Sequence, residues 1–89
     1  MRFDECKEGE YKIFVGALDA PRGDGYIAAV VVNRVARDEA RRREVHREVW
    51  RDDSLACGYR WKSADEAIGY AMQRARELVK TRAQQLAFA

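Results

Sequence analysis

The 89-residue chain has one proline, one histidine and two cysteines. Cys6 and Cys57 lie in neither a CxxC pair nor any zinc-ligand spacing, which removes the common metal ribbons and fingers. The cysteines read as free thiols in a bacterial-type cytosol, with a Cys6–Cys57 disulfide as the second reading. The longest apolar run, Tyr26–Val32, is far too short to cross a bilayer. The opening Met1-Arg2-Phe3-Asp4-Glu5-Cys6 has no apolar stretch of the kind a signal peptide needs, so the expected compartment is the cytoplasm. Gly16, Gly23 and Gly25 are followed by no Lys-Ser/Thr and lie beside no helix start, so they punctuate turns and form no phosphate loop.

What is present is globular composition, 47% hydrophobic and 36% charged. A chain this short makes a single domain, residues 1–89. It is near the lower size limit for folding alone, where association is a useful source of extra burial. The formal charge is only +2, but it is unevenly distributed: residues 1–25 carry four basic and six acidic side chains, residues 26–89 thirteen and nine. The later positive excess permits nucleic-acid contact without requiring it.

The sharpest local signal is Ser63-Ala64-Asp65-Glu66, a capping box that starts a helix. From Ile68 an apolar stripe continues through Ala71, Met72, Ala75, Leu78 and Val79, with Gln73, Arg76, Glu77 and Lys80 opposite. Arg82 interrupts the stripe, so the helix is expected over about 64–82, with 84–89 a frayed C-terminus. Leu86 and Phe88 are then left to dock on a neighbouring subunit.

Upstream, Glu10–Val15 alternates as a strand of about 10–16, and residues 1–8 read as an N-terminal arm. The turn cluster Asp19–Gly25 separates that strand from Tyr26–Val35, which is apolar at both parities and reads as central. Residues 36–50 favour helix by propensity alone. Glu44–Trp50 nonetheless alternates, and a lone hairpin under a helix is marginal, so a third strand over about 43–51 is expected. Arg47 shares the parity of Val45 and Val49, an interruption that a β-bulge or an edge position would relieve. The expected fold is α+β: a three-stranded antiparallel sheet on one C-terminal helix.

No residue set carries catalysis. His46 with Cys6 or Cys57 and Asp52 has the components of a thiol nucleophile but no local signature, and metal binding by His46 has no recognisable spacing. The expectation is no enzyme and no cofactor. Two surface readings remain. Arg34, Arg37, Arg41, Arg42, Arg43 and Arg47, with Arg51 and the aromatics Trp50, Tyr59 and Trp61, suit a nucleic-acid contact. The competing reading is an ion-pair ladder with Glu39, Glu44, Glu48, Asp52 and Asp53. The other surface is the sheet face that a single helix leaves bare. It would expose Phe14, one parity of the Tyr26–Val35 strand, and either Trp50 or the two valines, as a partner interface. The favoured function is a small interaction module, self-associating or docking a protein partner. Nucleic-acid binding is the alternative, and no membrane association is expected.

The order strand-strand-strand-helix, with Tyr59-Arg60-Trp61-Lys62-Ser63-Ala64-Asp65-Glu66-Ala67 leading into the helix, resembles a group of short uncharacterised proteobacterial proteins. In outline it is also similar to AP2-type and integrase N-terminal DNA-binding domains. The latter resemblance implies DNA contact through the sheet. The shared motif is a helix cap, so it transfers no functional residue.

Overall fold

The computed structural model describes residues 1–87, with side chains described through Thr81. Among the described residues four strands run in the order β1 (Arg2–Glu8), β2 (Tyr11–Asp19), β3 (Tyr26–Asp38) and β4 (Arg43–Asp52), all antiparallel neighbours in one sheet. A single turn, α1 (Leu55–Gly58), leads to the long helix α2 (Ala64–Ala87). The architecture is α+β with an antiparallel sheet and a C-terminal helix, and the sheet has four strands where the sequence predicts three.

The extra strand is the segment expected as an arm. Gly9 and Glu10 form a two-residue hairpin loop between Glu8 and Tyr11, and Gly9 has φ +58°, the sign that a type II′ loop requires at its first central position. Pattern reading misses β1 because its helix-facing side chains are mostly polar. Arg2 pairs with Asp65, the Cys6 thiol donates to the Met72 sulfur at 3.2 Å, and Glu8 pairs with Arg76 at 3.5 Å. The strand rests on the margin of the apolar stripe of α2, touching it at Met72 and the charged residues beside it at Asp65 and Arg76.

The core lies where α2 crosses β2 and β3. Tyr11, Ile13, Val15 and Ala17 on β2, with Ala28, Val30 and Val32 on β3, turn towards the helix and are buried. Ala67, Ala71 and Ala75 are fully buried at i,i+4 spacing, so the helix settles close to the sheet, with Ile68 and Val79 on either side of them. Burying a side chain such as Ile13 or Val32 contributes about 1.5–3 kcal/mol. The Ser63 half of the capping box is as expected: its Oγ accepts from the Glu66 amide at 3.1 Å.

Three boundaries differ from expectation. β2 runs on to Asp19 and β3 to Asp38; since β2 starts at Tyr11 opposite Arg34, the β3–β4 hairpin extends beyond it. The helix continues past residue 82 through Ala87, since Ala83, Gln84, Gln85 and Leu86 are good helix formers; residues 84–87 are therefore helical, and Phe88 and Ala89 lie outside the described residues. The strand expected over 43–51 is present as Arg43–Asp52. It is both bulged and at an edge: Trp50 pairs with Val32 but Glu48 with Asn33, leaving Val49 as the extra residue.

Candidate interaction surface

Because α2 covers one side of the sheet only, the alternate residues of all four strands form an open face. The strand register sets its rows. One row reads Glu5, Phe14, Val31, Arg51 across the sheet. The next, towards the Gly9 turn, reads Lys7, Lys12, Asn33, Glu48. On the other side lies Phe3, Gly16, Ala29, and beyond it Leu18, Ile27. Phe14, Leu18, Ile27 and Val31 are half-buried by their neighbours alone, while Phe3 is 67% exposed.

The Phe3 ring lies over Gly16, whose Cα would carry a Cβ only 3.0 Å from the ring edge. Ala29 is the neighbour of Gly16 on β3, so this row is low, and a depression of about 370 Å³ opens there among Phe3, Phe14, Leu18, Val31 and Arg51. Its rims are charged. Lys12 pairs with Glu5 at 3.7 Å and stands over the Phe14 ring at 5.5 Å. Arg51 donates to Glu48 at 2.8 and 2.9 Å and reaches Asp53 at 3.5 Å. The hydrogen bond that Arg51 donates to Glu48, and then the charge of Glu48, hold the guanidinium above its ordinary pKa.

Phe14 is thus on the open face, as the alternation predicts. Trp50 is not, and neither are the valines. The bulge turns both Val49 and Trp50 to the helix side, where they pack against the core, and Val45 shares that side beyond the end of β2. Leu86 belongs to the last turns of α2, whose side chains are not described, and Phe88 lies outside the described residues. Sequence reasoning missed Leu18, because the strand is expected to stop near residue 16, and it missed Phe3. Its neighbours are charged, so nothing local marks it. The only available signal was Gly9, which makes Phe3 the cross-strand partner of Gly16.

The six arginines do not gather on one surface. Arg34, Arg43 and Arg47 fall on the helix side of the β3–β4 hairpin, Arg37 on the open side, and Arg41 and Arg42 in the turn, where Arg42 has φ +52°. Acids interleave with them: Arg34 pairs with Glu10 at 3.4 Å, Arg37 with Glu39 at 3.3 Å and Arg41 with Asp38 at 3.7 Å.

His46 is on the open side with Glu44 at 3.6 Å, whereas Cys6 and Asp52 belong to the helix side, so the thiol–imidazole set is not brought together. Both cysteines are free, Cys6 half-buried under α2 and Cys57 exposed in α1. Among the described residues, no cluster of three or more His, Cys, Asp or Glu side chains could hold a metal, and no helix is long and apolar enough to cross a membrane. No protein-family model, curated protein or solved structure matches this chain.

Proposed function

We propose that the protein is a non-enzymatic interaction module whose docking surface is the open sheet face, taking a protein partner or a second copy. The observation that carries the reading is the continuous apolar ground from Phe3 through Phe14 and Val31 to Leu18 and Ile27, rimmed by Glu5, Lys7, Lys12, Glu48 and Arg51. An apolar patch bordered by polar groups is the usual mark of an interface. The ion-paired distribution of the arginines favours this over a polyanion site.

Hydroxyl-radical footprinting tests it, comparing dilute pure protein, concentrated pure protein and extract of the source cells. The expected result is protection of Phe3 and Phe14 in at least one of the last two settings. Tyr59, an exposed aromatic packed at 4.6 Å on Trp61 at the helix end, should remain reactive. Phe3 and Phe14 keeping their dilute-protein reactivity in both other settings would overturn the reading.

Nucleic-acid binding is the second reading, favoured by one feature: beyond Arg34 the β3–β4 hairpin is a two-stranded ribbon clear of β2. A ribbon of that width enters a major groove, and Arg37, Arg41, Arg42 and Arg43 sit on it. Reversing Arg41, Arg42 and Arg43 to Glu should then abolish binding that also falls steeply with salt.

A further inference from the structure

We infer that the occupant of the open face is a second copy of this chain, packed face to face about a twofold axis running parallel to the strands between β2 and β3. The inference rests on the docking reading above and goes beyond it by fixing both partner and orientation.

Such an axis keeps each row of the sheet in register and reverses its order, so that β1 faces the partner's β4 and β2 faces the partner's β3. The rows then meet as complements. Phe14 falls against the partner's Val31, and Leu18 against the partner's Ile27. At the rims, Glu5 falls against the partner's Arg51 and Lys7 against the partner's Glu48, each contact occurring twice by symmetry. Shape agrees with charge. Phe3 stands proud over Gly16, and the residue brought opposite that position is Ala29, so the low row receives the ring that projects from it. A twofold axis laid across the strands would instead set Glu5 against Glu5 and Arg51 against Arg51, which like-charge repulsion disfavours.

The size of the face sets the strength. Four strands about 4.8 Å apart and seven residues long at about 3.4 Å each give a footprint of roughly 19 by 24 Å. That lies at the small end of specific interfaces, where a reversible dimer of about micromolar dissociation constant is expected.

Charge reversal with sedimentation velocity tests it, using the full chain from low micromolar to near-millimolar concentration. The wild type should pass from monomer to dimer over that range. Glu5→Arg alone and Arg51→Glu alone should each dimerise at least about tenfold more weakly, because both copies of the contact become repulsive. Mixed in equal amounts, the two single variants should form a heterodimer, since each contact again joins opposite charges. A denaturant melt of each variant establishes that it is folded. A wild type that stays monomeric overturns the inference, and so does a dimer that ignores both reversals or that mixing fails to restore. The docking reading is judged separately: Phe3 and Phe14 protected only in extract would leave that reading standing with a different partner.

Discussion

Glu48 and Arg51 are three residues apart on β4 and still face the same side of the sheet, joined by a 2.9 Å hydrogen bond and a 2.8 Å ion-pair contact, because Val49 between them is the extra residue of a bulge. In a regular strand the pleat sends residues three apart to opposite faces. The bulge therefore does two things at once. It supplies the open face with a paired acid and base at its β4 rim, and it turns Val49 and Trp50 together onto the helix side.

That ion pair is exposed, so it should matter little to the monomer. Arg51→Ala is expected to change unfolding free energy by less than about 0.5 kcal/mol, read from urea midpoints at low protein concentration. A loss above about 2 kcal/mol would mean that Arg51 holds β4 in place and is no mere rim residue.

Gly25 should be irreplaceable. It has φ +89°, and a Cβ there would strike the carbonyl of Trp61, whose backbone exchanges two 2.8 Å hydrogen bonds with Tyr26. Gly25→Ala should destabilise by about 2 kcal/mol or more. Gly23→Ala is the comparison, with φ +70° but open space around the added methyl. It should cost only about 1 kcal/mol from the left-handed backbone. Equal losses at both sites would show that the Trp61 contact is not tight.

The helix offers a pair of opposite sign. Ser63→Ala removes the acceptor of the Glu66 amide and should cost about 1 kcal/mol. Gly69 is exposed inside α2 with nothing within 4 Å of an added Cβ. Gly69→Ala should stabilise by about 0.5–1 kcal/mol, since alanine restricts the unfolded chain and suits the helix. Thermal midpoints moving in the same direction for both would contradict the assignment.

Ile68 is 7% exposed against the sheet, and Ile68→Ala should cost about 2–5 kcal/mol by leaving a cavity between α2 and the strands. In a domain this small, that change threatens folding altogether, so Val79→Ala is the milder check, expected to cost about 1–3 kcal/mol. Denaturant curves of the two variants superimposing on the wild type would place the wrong stripe in the core.

Local chemistry alone determined much of this protein. Ser63 with Glu66 starts the helix because a hydroxyl can cap an amide three residues on. Ile68, Ala71, Ala75 and Val79 pick out the buried stripe because helical period is fixed, and Ile13, Val15, Val30 and Val32 name the strands beneath. The awkward parity of Arg47 pointed to the edge position that the structure contains, while the bulge at Val49 leaves Arg47 on the helix side with Val45 and Val49. Tertiary structure decided the rest. β1 is a strand only because β2 offers it a ladder and α2 offers Asp65, Met72 and Arg76 to its helix-facing side chains, none of which a local window contains. The bulge at Val49 moved Trp50 under the helix, since one extra residue reverses every face beyond it. The open face itself, with Phe3 over Gly16 and Glu5 in one row with Arg51, is a product of register between segments far apart in the chain. No spacing along the sequence encodes that register directly.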